Sequence, residues 1–139
     1  MNIQEVPFNR FLGIQPSARA GYILELADKD YLLNHLGILH AGALYSLAEA
    51  TSGEFLLRVF HSSELKIIPV VRKADIKYSR PAESAVYSIA DFVESSVEEV
   101  CAGLEERGKV IIDVKVSLYN ETDERIAVST IQWFLALVH

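Results

Sequence analysis

The chain holds one cysteine, Cys101, among its 139 residues. An intrachain disulfide is therefore excluded, and nothing in the sequence asks for an oxidising compartment. The first residues, Met1-Asn2-Ile3-Gln4-Glu5, lack the basic stretch leading into an apolar run that marks a secretory leader. No apolar run approaches the roughly 20 residues needed to span a bilayer. Basic residues are also few, 13 Lys and Arg against 19 Asp and Glu, for a net charge of -6. Such a chain repels phosphate backbones, which argues against a nucleic-acid partner. Repeats, low-complexity tracts and linkers are missing as well. The expectation is a cytoplasmic protein that binds neither membrane nor nucleic acid.

What is present reads as one globular domain over 1–139. Half of the residues are hydrophobic and 23% are charged, the balance of a chain able to bury a core without metals or disulfides. Phe8 to Leu12 reads as a short helical turn ending at Gly13, and 18–28 as a first strand. Residues 29–39 form a loop rich in turn formers. The one long helical signal runs from about 40 to 60. The period then changes to two. Strand 67–79 sets Ile68, Val70, Arg72, Ala74, Ile76 and Tyr78 on one face, with Pro69, Val71, Lys73, Asp75 and Lys77 on the other. Further strands are expected over 85–94, 110–119 and 125–138. A short helix over 96–107, capped by Ser95 or Ser96 and ended by Gly108, sits between the first two of these. The order predicts an α+β fold with a long helix packed on an antiparallel sheet.

At 100° per residue, Leu44, Leu47, Ala48, Thr51 and Phe55 share the helix face expected to meet the core. Gly42, Ser46, Glu49 and Gly53 lie nearly opposite. Each glycine costs the helix roughly 1 kcal/mol relative to alanine, so something must compensate. Two explanations fit a small-residue stripe around a single carboxylate. Either another chain segment or a second subunit packs closely there, or a ligand approaches the helix and Glu49 acts on it.

The segment Asn34-His35-Leu36-Gly37-Ile38-Leu39-His40-Ala41-Gly42-Ala43-Leu44-Tyr45-Ser46-Leu47-Ala48-Glu49 resembles the signature of hotdog-fold thioesterases of the phenylacetyl-CoA thioesterase type. In that pattern Asn is followed by Gly three residues later, then His after three more, a small residue with Gly, and an acid nine residues past the His. Ile76 to Ala82 is similar to the strand that follows the helix in the same family. The resemblance implies a hotdog fold, in which the sheet wraps the long helix, and an acyl-CoA thioesterase needing no cofactor beyond the coenzyme A of its substrate.

The resemblance also implies roles. Glu49 matches the acid that serves as general base or nucleophile. The backbone N–H of Ala41, at the helix start, matches the oxyanion donor. Gly42 allows close approach, Asn34 orients the acid or its water, and His40 shapes the loop or polarises the carbonyl. Lys73, Lys77 and Arg80 are candidates to meet coenzyme A phosphates, or else form a solvated face. In this family the acid usually faces a partner, which implies a homodimer or a tetramer of dimers.

Two departures stand out. Ala41 replaces the first of two glycines, and Val71 stands where some members place a hydroxyl to hold the attacking water; Ser46, Thr51 or Ser52 are possible substitutes. Tyr45, Leu56, Phe60 and Trp133 are candidate liners of an acyl pocket, or core. Two alternatives to the thioesterase stay open: a non-catalytic acyl-CoA-binding module, and a hotdog dehydratase or hydratase. The latter usually show a proline-glycine helix entry that is missing here.

Overall fold

The computed structural model describes residues 2–138. Helix α1 covers Pro7–Leu12, after a 3-10 turn at Ile3–Glu5. The short strands β1 (Gln15–Pro16) and β2 (Leu24–Leu26) precede a second 3-10 turn at Asp30–Leu32. The long helix α2 is Ala41–Val59, followed by β3 (Ile67–Tyr78), β4 (Val86–Phe92), α3 (Val97–Arg107), β5 (Lys109–Tyr119) and β6 (Arg125–Leu137). The strands form one six-stranded sheet in the order β1-β2-β4-β5-β6-β3, antiparallel at every junction. Helix α2 contacts β2 through β6, which is the α+β hotdog arrangement expected of the sequence. No described helix is long and apolar enough to cross a membrane.

The core lies between helix and sheet. Leu47 and Leu56 of α2 meet Leu24, Leu26, Val86, Val114, Leu118, Ile126, Ile131 and Leu135, all at or near zero exposure. Full burial of each such side chain stabilises by roughly 1.5–3 kcal/mol. A buried polar seam joins the layers: Thr51 Oγ1 lies 2.7 Å from both the Leu47 carbonyl and Ser88 Oγ, with one proton to share between them, and Ser88 Oγ donates in turn to the Leu24 carbonyl. Every buried hydroxyl in that seam is satisfied, so it adds specificity without an unpaired dipole.

Three departures from the sequence pattern have local causes. The strand expected over 18–28 is confined to β2 and begins only at Leu24, because 17–23 turns through Gly21 at φ +87. That turn is held by side chains: the Arg19 guanidinium stacks on the Tyr87 ring at 4.4 Å and donates to the Glu121 carbonyl, while Tyr22 Oη donates to Asp123. In β3 the alternation breaks at a bulge, where Val71 pairs with Trp133, Lys73 pairs with Gln132, and Arg72 is the extra residue. Ile67, Pro69 and Val71 therefore share the inner face with Ala74 and Ile76, while Ile68 and Val70 point outward at 53% and 52% exposure. Finally, α2 is buried on more than one side. Phe55 is only half-buried, edge-on to Phe92, and Ala50 and Gly53 are as buried as the sheet-facing residues.

Gly53 is explained by what lies over it. A Cβ there would stand 3.3 Å from Ile3 Cδ1 and 3.8 Å from the Trp133 ring. The missing side chain lets the N-terminal turn and the indole close on the helix, and that packing offsets the lost helix propensity.

Candidate active site

The start of α2 is built by its own loop. Asn34 Oδ1 accepts the N–H groups of Leu36 (2.8 Å) and Ile38 (3.3 Å), an Asx-type turn that ends in the 33–39 bridge. His40 N–H donates to the Leu32 carbonyl and Leu39 N–H to the Ala82 carbonyl, which anchors the helix entry to both flanking segments. His40 is the N-cap, its Nδ1 accepting the Gly42 N–H at 2.8 Å. An accepting Nδ1 leaves the neutral ring's proton on Nε2. A Cβ on Gly42 would fall 3.0 Å from that same nitrogen, so glycine leaves room for the cap.

The cap consumes the Gly42 N–H and leaves its neighbour. The Ala41 N–H has no hydrogen-bond partner among the described residues. The Ala41 carbonyl, by contrast, accepts from Tyr78 Oη at 2.9 Å, tying the first helical turn to β3. A free N–H at a helix amino terminus is a ready donor to a developing oxyanion. Ala41 opens into a cavity of about 340 Å³ that Asn34, Leu44, Tyr78 and Arg80 also line.

Glu49 lies two turns further along the helix. Eight residues at about 1.5 Å each put it about 12 Å from Ala41 along the axis. It is half-buried, and its carboxylate has no hydrogen-bond partner among the described residues. Burial raises its carboxyl above the ordinary glutamate value. Tyr45, one turn earlier, has its phenol raised by burial and then by the Glu49 charge. Glu49 opens into a different cavity, of about 440 Å³, shared with Ile3, Val6, Leu57, Val71 and Trp133. His40 and Gly42 face a third, of about 260 Å³, between α1 and the helix start. The described residues of one chain thus bring Asn34, Ala41 and Arg80 together, and leave Glu49 apart from them.

The remaining candidates divide similarly. Lys73 and Lys77 are exposed on β3 and line neither the Ala41 nor the Glu49 cavity. Arg80 sits at the rim of the Ala41 cavity, 3.1 Å from Glu124 in an exposed ion pair. The hydroxyls available to replace one at Val71 are all engaged: Ser46 donates to the Gly42 carbonyl, Thr51 to the Leu47 carbonyl, and Ser52 to the Glu49 carbonyl. Of the candidate pocket liners, Trp133 borders the Glu49 cavity, Leu56 and Phe60 are core, and Tyr45 is half-buried. Sequence reasoning missed the walls supplied by Ile3 and Val6, and the Tyr78 link to Ala41. No local pattern marks either, because both are contacts between distant segments.

A family model described as "Putative thioesterase (yiiD_Cterm)" matches residues 2–135. The chain belongs to this thioesterase family. Its fold recurs in solved structures. A Pseudomonas aeruginosa protein described as a probable thioesterase superposes with a TM-score of 0.80 at 24% identity, covering 98% of this chain and 91% of that one. A Haemophilus influenzae thioesterase gives 0.73 at 19% identity, with coverage of 97% and 86%. A Bacillus halodurans protein solved with CoA gives 0.63 at 18%, with coverage of 81% and 69%. No curated protein matches the chain. At these identities the structural likeness speaks for the hotdog fold, and the family match speaks for thioesterase chemistry.

Proposed function

We propose that the protein hydrolyses the thioester of a small or medium acyl-CoA, at a site that two copies of the chain complete. One observation carries this reading. The free Ala41 N–H and the unpartnered Glu49 carboxylate are the two groups the chemistry needs, yet about 12 Å of one helix separates them and they open into different cavities. Two helices side by side, related by a two-fold axis, put Glu49 of one copy against the helix start of the other. The outer edge of β3 supports such pairing. It is 12 residues long, pairs only with β6 among the described strands, and exposes Ile68 and Val70, a surface that isolated proteins ordinarily protect.

In the proposed reaction the partner subunit's Ala41 N–H receives the carbonyl oxygen. Ionised Glu49 takes a proton from water as the water oxygen bonds to the carbonyl carbon. The tetrahedral oxyanion then collapses, the C–S bond breaks, and the proton on Glu49 passes to the departing thiolate. The products are a carboxylic acid and coenzyme A. A direct attack by Glu49 through an anhydride gives the same products. In this proposal Arg80, which lines the Ala41 cavity, meets a coenzyme A phosphate, with Lys73 and Lys77 offering charge from the sheet. A reducing compartment such as the cytoplasm suits the unpaired Cys101.

The test is release of free thiol from acetyl-, butyryl-, decanoyl-, palmitoyl- and phenylacetyl-CoA. Turnover that disappears in Glu49→Ala supports the proposal, and no turnover with any of the five sinks it. A second reading has one observation in its favour. Val71, without a hydroxyl, borders the cavity of Glu49, which suits an acyl-CoA-binding module that has lost turnover. Tight coenzyme A binding with no thiol release would select it.

A further inference from the structure

The cavity at Glu49 has a chemical character of its own. Its side-chain N–H donors are spent: the Asn9 amide nitrogen donates to the Ile3 carbonyl at 3.0 Å, and Trp133 Nε1 donates to Ser52 Oγ at 2.9 Å. That second bond fixes the indole plane as a wall of the chamber. What remains is hydrocarbon, from Ile3 and Val6 of the N-terminal segment, Leu57 of α2 and Val71 of β3. Among the described residues the unspent polar groups of the lining are the Asn9 amide oxygen and the Glu49 carboxylate, and only the second carries a charge. An apolar protein face filling this space would leave that carboxylate desolvated and unpaired, a costly arrangement. A thioester instead sets its carbonyl carbon beside Glu49 and threads only methylenes past it.

We infer that this cavity is the acyl-chain chamber and that the N-terminal segment together with Trp133 sets its length, selecting medium-chain acyl groups over acetyl and long-chain ones. The inference rests on the thioesterase reading above and names its substrate class. The volume is about 440 Å³. At roughly 30 Å³ for each water-sized group, it admits on the order of a dozen carbons. The inner limit is where Ile3 and Trp133 close over Gly53.

The test measures kcat/KM over the saturated series from acetyl- to palmitoyl-CoA for wild type, Val71→Phe and Leu57→Ala. Wild type is expected to peak between hexanoyl- and dodecanoyl-CoA. Filling the chamber in Val71→Phe lowers the ratio of decanoyl- to butyryl-CoA efficiency by about tenfold or more, the usual discrimination of an apolar pocket for extra methylenes. Opening it in Leu57→Ala moves the peak to longer chains. Leu57 is only half-buried, so that variant decides the matter if Val71→Phe fails to fold. Turnover with a flat profile, or a profile unmoved in Leu57→Ala, overturns the chamber while leaving the thioesterase standing. Loss of dimer in Val71→Phe with the ratio unchanged shows that a second copy fills the space and overturns it too. Absence of turnover with every acyl-CoA overturns both readings.

Discussion

Ala41 and Glu49 occupy one helix but look into different cavities, the first with its N–H unpaired and the second with its carboxylate unpaired. Neither group is used by the fold of its own chain. An N-cap ordinarily takes the second or third helical N–H and leaves the first to solvent or a ligand, and here His40 caps Gly42 and leaves Ala41 open. A half-buried carboxylate ordinarily finds a donor, and that of Glu49 has none among the described residues. The half-buried carboxylate costs stability, the solvated N–H does not, and both are groups that thioester hydrolysis can use.

If the two groups act on one thioester across a dimer, inactive variants must complement each other. Ala41→Pro removes only the N–H, because proline is well tolerated at the first helical position and His40 already has the extended backbone, φ -63 and ψ 140, that a following proline requires. Each of Ala41→Pro and Glu49→Ala is expected to lose about 10²-fold or more of kcat. Mixed, unfolded and refolded together, they should recover roughly a quarter of wild-type activity, since half the dimers are mixed and each carries one intact site. No recovery, with mixed dimers demonstrated, would place both groups in the same subunit's site.

Glu49 should cost stability at neutral pH. Its carboxyl is raised in the folded state by burial, so the folded chain holds that proton to higher pH than the unfolded chain does. The stability linked to this group is present at acid pH and is lost as pH rises through the raised value. Glu49→Gln does not titrate. Its Tm should exceed that of wild type at pH 7.5, with the gap shrinking toward pH 4. Thermal melts across that range check it, and a gap that grows on acidification would refute the assignment.

If Glu49 is the base, the same shift sets the acid limb of catalysis. Only ionised Glu49 can take a proton from water, so kcat/KM should fall on acidification at a pH above the ordinary glutamate value. A limb at or below that value would assign the base elsewhere.

Tyr78→Phe removes the bond to the Ala41 carbonyl. The expected loss is about 1 kcal/mol in urea unfolding. A larger proportional loss in kcat than in KM should accompany it, because the first helical turn, with its free N–H, is no longer tied to β3.

Arg80→Ala should raise KM for acyl-CoA while leaving hydrolysis of the matching acyl-pantetheine, which lacks the nucleotide phosphates, unaffected. Stability should change by about 1 kcal/mol at most, because the lost ion pair with Glu124 is exposed.

The long helix, the late strands and the Asn34–His40–Glu49 spacing were all legible in the linear sequence. Helical and strand periodicity are properties of neighbours, and a capping histidine acts within two residues of itself. Ser96 as the cap of α3 and Gly108 as its end are legible for the same reason. Local pattern therefore settled the fold class and the helix that carries both candidate groups. Tertiary structure alone decided which face of that helix is open. The stripe of Gly42, Ser46, Glu49 and Gly53 looked uniform, yet Gly53 is covered by Ile3 and Trp133, and Gly42 faces a separate cavity from Glu49. The bulge at Arg72 likewise reverses the faces of β3 and sets Val71 inward. These outcomes depend on segments up to 130 residues apart meeting in space, and no local period encodes such a meeting.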